Sequence, residues 1–174
     1  GGGGAALLLV EREIWSGADA LARLLGVGET SDAWHMSHPH PEGIGALAAM
    51  KEALDQAGLS PSDVDHVNAH GTGTKANDEV EGKAIQALLG SSVPVVSTKA
   101  YTGHMRGAGG ASEAVFAIAC IQRGLVPMAL RSEPIDPAFE LNIPTEVLRR
   151  EVNVVLSNSF AFGGSNVCVA LGKA

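Results

Sequence analysis

The sequence predicts a layered α/β domain, and three observations carry this prediction. Short apolar runs that suit buried strands alternate with helical patterns, which is typical of strands and helices packed in layers. The 174 residues are 45% hydrophobic, which is enough for one core. Aromatic residues make up only 4%, whereas the 22 glycines favour close packing of backbones. We therefore expect one domain over residues 1–174.

The first half of the chain alternates between apolar runs and one amphipathic helix. Ile44, Leu47 and Met50 recur at helical spacing, and Gly58 stands just past the end of their pattern, as a helix C-terminus favours. In order, we predict a buried strand over residues 5–11, a strand within 20–27, a helix over 42–56, a turn over 60–63 capped by Ser60, and a strand over 64–69 that delivers His70.

The second half continues the alternation. We expect Asn77 to cap a helix that ends at Gly90, with the acidic residues Asp78, Glu79 and Glu81 in its first turn, where the helix dipole favours negative charge. A helix over 107–123 is apolar nearly all round, which predicts a central helix covered on both sides. The remaining predictions are strands over 93–97, 152–158 and 167–171, a loop that carries Lys99 and His104, and a turn at Gly163 and Gly164 between the last two strands.

Charge and composition exclude several classes of function. The net charge of −7 argues against nucleic acid or an anionic membrane as the main partner. The two cysteines, Cys120 and Cys168, lie in apolar runs, which fits buried thiols in a reducing compartment. No apolar run approaches the roughly 18 residues of a membrane span, and no basic segment precedes the first apolar stretch. We therefore expect a cytoplasmic protein that contacts no membrane.

Two histidines stand in glycine- and threonine-rich motifs that follow predicted strands. His70 opens H-G-T-G-T, and His104 closes K-A-Y-T-G-H. Two neutral imidazoles that point at one oxygen can each donate an N–H hydrogen bond and hold negative charge developing on a carbonyl or enolate oxygen. The pattern therefore indicates acyl chemistry.

Three motifs together resemble one family. V-N-A-H-G-T-G-T, S-T-K-x-x-T-G-H-x-x-G-A-x-G and N-S-F-x-F-G-G-x-N are similar to the C-terminal half of β-ketoacyl-acyl carrier protein synthases, the elongating condensing enzymes of the thiolase fold. Residues 1–11 and the S-D-A-W-H-M loop at 31–36 extend the resemblance over the whole chain. It implies the C-terminal half of an α-β-α-β-α architecture with a mixed sheet.

The resemblance also implies a mechanism, in which malonyl-acyl carrier protein loses carbon dioxide and condenses with an acyl thioester in fatty acid or polyketide synthesis. His70 and His104 would hold the thioester oxygen while the enolate forms. Lys99 would be the buried lysine of the site and Glu113 its ion-pair partner. A neutral imidazole pair is required, and a nearby ammonium favours the neutral form.

Further residues match the substrate and gating positions of that family. Thr72 and Thr74 would bind the phosphopantetheine arm of the carrier, which delivers the substrate, so that the chain itself needs no bound cofactor. Phe162 would be the gate aromatic, Gly163 would give its turn freedom, and the loop at Asp32 would be the second part of the gate. Phe160 belongs to the same motif and would be a supporting residue of the site. Two departures are Ala161, where glycine is common, and Arg106, where small or apolar residues are common.

The nucleophilic cysteine of such enzymes belongs to the N-terminal half, which this sequence does not contain. Cys120 and Cys168 are poor candidates because apolar surroundings raise the pKa of a thiol. A half without its partner would leave the helix over 107–123 facing water, which is costly. We therefore expect a partner half or subunit that carries the cysteine, either as a separate chain or within a longer one, and a dimer of the assembled enzyme.

Simpler interpretations remain open at this point. Either histidine of the pair could be structural, Lys99 could lie on the surface, Thr72 and Thr74 could only form a turn, and Phe162 could belong to the core. The whole chain could be a non-catalytic structural or chain-length-determining subunit of a condensing heterodimer. Four further histidines suggest no complete ligand set, so we expect solvated loops in preference to a metal site: His35, His38, His40 and His66.

Overall fold

A computed structural model describes residues 20–174, and the strand predicted over 5–11 lies outside the described residues. The centre of the described fold is a five-stranded sheet. Its strands are β1 (Arg23–Ser31), β2 (His66–Asn68), β3 (Val95–Val96), β6 (Val154–Ala161) and β7 (Ser165–Gly172).

The sheet has the order β1-β7-β6-β2-β3. β7 pairs antiparallel with both β1 and β6, whereas β2 pairs parallel with β6 and β3. The prediction of a mixed sheet is therefore confirmed. A separate two-stranded ladder joins β4 (Leu125–Val126) to β5 (Leu148–Arg149).

Four α-helices accompany the strands. They are α1 (Ile44–Ala57), α2 (Lys75–Leu89), α3 (Lys99–Thr102) and α4 (Gly109–Arg123). Short 3₁₀ turns cover Pro61–Asp63 and Arg106–Ala108. Gly58 ends α1 in the left-handed conformation, with φ 67°, as the sequence predicts for a helix C-terminus.

The core lies on both faces of the sheet. On one face, Met50 and Leu54 of α1 and Ile85 of α2 pack against strand residues such as Leu156. On the other face, Ala117 and other residues of α4 pack against the opposite sides of β6 and β7. The described fold is therefore three layered, with the sheet between helices.

α1 lies unusually close to β1 because two strand residues lack a side chain. A Cβ atom at Gly28 would stand 1.9 Å from the carbonyl oxygen of Ala49, and one at Gly26 would stand 2.2 Å from that of Ala53. Only glycine permits this approach. The contact fixes β1 and therefore the loop that follows it at Asp32.

Several predicted boundaries are wrong for identifiable reasons. The strand expected within 20–27 continues to Ser31, because β7 provides pairing partners over that whole length. Thr74, not Asn77, is the N-cap of α2, since its hydroxyl accepts the backbone N–H of Asn77 at 3.4 Å. Lys99 begins the short helix α3 instead of lying in a loop.

Within residues 20–174, α4 is covered on one side only. Its buried residues face the sheet, whereas Val115 on the outer side is 46% exposed. The prediction of cover on both sides is therefore not met by the described residues alone. An apolar helix face that remains in contact with water is what we expect of a half without its partner.

Candidate active site

His70 stands at the carboxyl end of β2, where the buried strand gives way to a loop. The residue is only 7% exposed. Its backbone N–H donates to Glu81 Oε1, and the N–H of Gly71 donates to Glu81 Oε2, both at 2.8 Å. A buried carboxylate thus anchors the backbone that presents this imidazole.

Glu81 is the functional residue that the sequence reasoning missed. The sequence predicts it in the first turn of the helix, but it is 3% exposed and also accepts hydrogen bonds from the side-chain amides of Asn77 and Asn158, at 3.2 and 3.1 Å. Burial raises the pKa of its carboxyl group, and these hydrogen bonds oppose that rise. One signal could have found it: Glu81 shares a helical face with the buried Ile85 and Leu89, at spacings of four and eight.

His104 follows α3 and is held in a different way. Its ring nitrogen Nδ1 accepts the backbone N–H of Arg106 at 3.3 Å. Because Nδ1 serves as an acceptor, the proton of the neutral ring is on Nε2. The ring therefore presents an N–H donor on the side away from its own loop.

The structure brings the two imidazoles together. Their ring centroids are 5.4 Å apart and the ring planes are nearly perpendicular, at 86°. Ring centroids at this separation are compatible with one N–H of each ring reaching a common oxygen atom. His70 Nδ1 is buried and has no hydrogen-bond partner within the described residues.

His70 is held in its neutral form. Burial first, and then the charges of Lys99 and His104, lower its pKa to about 3. An imidazole with this pKa is uncharged throughout the physiological range. It can therefore act as a hydrogen-bond donor to a developing oxyanion without bringing a positive charge of its own.

Lys99 and Glu113 form a buried ion pair beside the imidazoles. Their side chains are 8% and 5% exposed, and the ammonium donates to Glu113 Oε1. Since a lysine this buried needs a counter-ion, the structure rules out the surface alternative for Lys99. The second oxygen, Glu113 Oε2, has no hydrogen-bond partner within the described part of the chain.

Thr72 and Thr74 line the same cavity as the histidines. Their hydroxyl oxygens are 2.9 Å apart, and that of Thr74 also caps α2. At least one of the two therefore has a structural function, whereas the hydroxyl of Thr72 contacts only its neighbour. The pantetheine role of both threonines stays a prediction.

The two phenylalanines at and before the hairpin turn have different environments. Phe160, in β6, lies with its ring centroid 5.5 Å from that of His70. Phe162, in the turn, is 84% exposed, so the alternative that it belongs to the core is wrong. Gly163 and Gly164 have φ of 89° and 84°, as the predicted glycine turn requires.

The turn beyond β6 is tied to the loop beyond β1. The backbone N–H of Gly163 donates to the carbonyl of Met36 at 2.9 Å, and the N–H of Asp32 donates to the carbonyl of Gly164 at 2.8 Å. The Asp32 carboxylate accepts from the side chain of Asn166 at 2.8 Å and from the N–H of His40 at 2.9 Å. The two predicted parts of the gate are therefore in contact.

Of the remaining histidines, His38 also lines this cavity, whereas His35, His40 and His66 do not. Within residues 20–174, no group of three or more histidine, cysteine or acidic side chains could hold a metal ion. His35 and His38 lie on the exposed loop, with their Nδ1 atoms 3.1 Å apart. His66 is buried in β2 and its ring donates to the carbonyl of Pro94 at 3.0 Å, so it is structural.

Neither cysteine has the surroundings of a nucleophile. Burial raises the pKa of the Cys120 thiol to about 11. Burial and the Glu81 carboxylate raise the pKa of Cys168, which is fully buried in β7. Both thiols therefore stay protonated and inert.

A cavity of about 2200 Å³ connects these features, and α4, β6 and the first described residues form its walls. No helix in residues 20–174 is both long enough and apolar enough to cross a membrane. The site residues that line the cavity are Asp32, His70, Thr72, Thr74, Lys99, His104, Glu113, Phe160 and Phe162.

The described residues form a three-layered α/β domain with paired imidazoles at strand-to-loop junctions. Residues 21–133 match the family described as beta-ketoacyl synthase, C-terminal domain. This match covers more than half of the chain, and the chain therefore belongs to the beta-ketoacyl synthase family through that domain.

Curated relatives agree over nearly all of the chain. The 3-oxoacyl-[acyl-carrier-protein] synthase 2 of Mycobacterium tuberculosis is 41% identical over 99% of this chain and 42% of that protein. The corresponding synthase of Coxiella burnetii is 38% identical over 99% of this chain and 43% of that protein. The chain thus spans about two fifths of the length of the relatives it matches.

Solved structures share the fold. A ketosynthase in complex with its chain length factor from Xenorhabdus doucetiae has a TM-score of 0.85 and 46% identity over 90% of this chain and 40% of that chain. A beta-ketoacyl synthase from Burkholderia phymatum has a TM-score of 0.86 and 36% identity over 91% of this chain and 39% of that chain. The predicted thiolase-like fold is confirmed.

Proposed function

We propose that this chain supplies the decarboxylation half of an acyltransferase. The reaction is the condensation of malonyl-acyl carrier protein with an acyl thioester, in fatty acid or polyketide synthesis. The observation that carries the proposal is the perpendicular imidazole pair, with ring centroids 5.4 Å apart in one cavity.

The chemistry follows from what the two rings can donate. As carbon dioxide leaves the malonyl group, negative charge moves onto the thioester oxygen, and two N–H donors stabilise it there. Loss of one such donor typically raises the barrier by roughly 3–4 kcal/mol. Neutral rings suit this task, and the low pKa of His70, about 3, supports it.

Lys99 and Glu113 act through the histidines. Burial is the main reason that the pKa of His70 is low, and the nearby ammonium lowers it further because it disfavours a second positive charge. Glu113 keeps the buried ammonium in place. In this proposal neither residue needs to touch the substrate.

Thr72 and Thr74 would bind the phosphopantetheine arm of the carrier protein, and Phe162 with Gly163 would form the gate to the acyl pocket. Support comes from the position of both threonines and of Phe162 on the cavity wall. The exposed ring of Phe162, on a glycine turn tied to the Asp32 loop, is free to respond to a substrate. Phe160, beside His70, would pack against the reacting group.

The nucleophilic cysteine would come from outside these 174 residues, on a partner chain or a further segment. Two observations support this: both thiols of the chain have raised pKa values, and the outer face of α4 is exposed. The assembled enzyme would be a dimer, would work in the cytoplasm and would receive its substrates from acyl carrier protein.

The test is carbon dioxide release from malonyl-acyl carrier protein by the chain combined with its cysteine-bearing half. We expect His104→Ala to slow release by roughly 100-fold or more, as the loss of one oxyanion donor predicts. The matched control is His40→Ala, because His40 lies outside the cavity wall and its ring contacts Trp34 and the backbone N–H of Glu42 instead of the imidazole pair. Equal rates for both variants would contradict the proposal.

A second candidate is a non-catalytic subunit that shapes the pocket of a ketosynthase. It is favoured by the likeness to complexes that contain a chain length factor. Such a subunit would alter product chain length without affecting carbon dioxide release. The same His104→Ala experiment therefore decides between the two candidates.

A further inference from the structure

Arg106 lies on the wall of the cavity that contains both imidazoles. Its backbone N–H donates to His104 Nδ1 at 3.3 Å, so the imidazole ring of His104 separates the Arg106 backbone from the proposed oxyanion site. The side chain is exposed and long enough to reach a group bonded next to a thioester that the histidines hold. Arg106 is therefore placed to contact the reacting part of a substrate.

The charges on the cavity wall single out this guanidinium. Three cationic residues line the cavity, and the ammonium of Lys99 is already paired with Glu113. Arg23 also has interactions of its own. The guanidinium of Arg106 makes no hydrogen bond or ion pair with any residue of 20–174, so its charge is available to an anion.

The backbone conformation at Arg106 is a second, independent observation that indicates a functional site. Met105 and Arg106 have φ of 52° and 49°, in the left-handed region that favours glycine. Arginine at such a position is strained, and backbone strain of this kind concentrates at functional sites. A glycine would relieve the strain but would remove the guanidinium.

We propose that Arg106 binds the carboxylate of the malonyl thioester before carbon dioxide leaves. This inference rests on the proposed function. The imidazoles can donate to the thioester oxygen, but a carboxylate that leaves water for a cavity needs a charged partner. In malonyl thioesters one methylene separates the two groups, which suits neighbouring binding residues.

The reaction determines which kinetic constant Arg106 affects. The bond between the methylene carbon and the carboxylate breaks, its electron pair moves into the enolate, and the carboxylate leaves as neutral carbon dioxide without any proton transfer. The contact with Arg106 is therefore strongest in the bound substrate and weakens toward the transition state. Such a contact lowers KM and does not raise kcat.

The experiment measures steady-state carbon dioxide release by the assembled enzyme. We expect Arg106→Leu to raise KM for malonyl-acyl carrier protein by at least about tenfold, the usual effect of losing a charge-assisted hydrogen bond. We expect kcat to be unchanged or higher and KM for the acyl-carrier substrate to be unchanged. Arg106→Lys, which keeps the charge without the planar fork, should lie between the two.

Arg106→Gly separates function from folding. It removes the side chain and suits the left-handed backbone, so KM for malonyl-acyl carrier protein should rise as in Arg106→Leu while the melting temperature does not fall. An unchanged malonyl KM in either variant would overturn the inference, as would a rise confined to the acyl substrate. If His104→Ala leaves carbon dioxide release intact in the enzyme with native Arg106, the proposed function itself is wrong, whatever Arg106 does.

Discussion

The two histidines of the site are held by very different surroundings. His70 is 7% exposed, and the buried carboxylate of Glu81 fixes the backbone on which it stands. His104 is exposed, follows the four-residue helix α3, and has its ring held by the backbone N–H of Arg106. In this chain, the core determines the position of one proposed oxyanion donor, and a local loop determines that of the other.

This difference indicates where the site depends on cover from outside the chain. A donor on a short exposed loop opens more easily than one attached to the core. The proposed partner half would therefore stabilise the His104 side more than the His70 side. Four predictions test how far the two sides differ, beginning with the largest expected effect.

Removal of the Glu81 carboxylate should strongly destabilise the fold around His70. Glu81→Ala leaves four N–H donors without their acceptor, and we expect it to lower the free energy of unfolding by about 4 kcal/mol, measured by urea denaturation. The control on the same helix is Glu79→Ala, which removes an exposed 3.7 Å pair with Lys75 and should cost about 0.5 kcal/mol or less. Similar losses in the two variants would show that Glu81 anchors nothing.

The buried ion pair between α3 and α4 should matter slightly less. Glu113→Leu leaves the ammonium of Lys99 buried without a partner, and we expect a loss of about 3 kcal/mol. The double variant Lys99→Met with Glu113→Leu removes both charges and should recover most of that loss. If the double variant is as unstable as the single one, packing and not charge accounts for the effect.

Lowering the pH should reduce the stability of the fold, because the buried His66 is held in its neutral form. Burial lowers the pKa of His66 to about 4. Since protonation of His66 favours the unfolded chain, its contribution is complete above about pH 6.5 and is lost as the pH falls toward 4. We expect the protein to lose about 3 kcal/mol more over this interval than His66→Asn, whose amide can still donate to Pro94. Parallel pH profiles of stability for the two proteins would contradict this assignment.

The smallest predicted effect is a gain in stability, and it concerns the loop that carries His104. Met105→Gly relieves a φ of 52° and should raise the free energy of unfolding by about 1 kcal/mol or less. The same change at Met36, which is 78% exposed and outside the left-handed region, should lower it. A loss of stability in both variants would mean that the loop at Met105 is not strained.

The sequence predicted the parts of the fold that depend on local pattern. The amphipathic spacing of α1, the glycine at its end and the glycine turn between β6 and β7 follow from local backbone preferences. The two histidines were found because their motifs are polar interruptions after apolar strands. Lys99 and Glu113 came from the resemblance, since their 14-residue separation carries no local signal.

What the sequence did not predict depends on tertiary contacts. The sequence places Glu81 only among the acidic residues that a helix N-terminus favours, whereas a loop and Asn158 of β6 make it a buried acceptor. The cap of α2 moved from Asn77 to Thr74 because the loop after His70 brings the threonine hydroxyl to the helix end. The length of β1 depended on pairing with β7, which lies more than 130 residues away in the sequence.

The two buried thiols have a practical consequence for work on the assembled enzyme. Because their raised pKa values keep Cys120 and Cys168 protonated, neither should consume an electrophile such as iodoacetamide at neutral pH while the chain is folded. Alkylation of the assembly would then report only on cysteines that the proposed partner half contributes. Electrophilic inhibitors could be titrated against those cysteines without modifying Cys120 or Cys168.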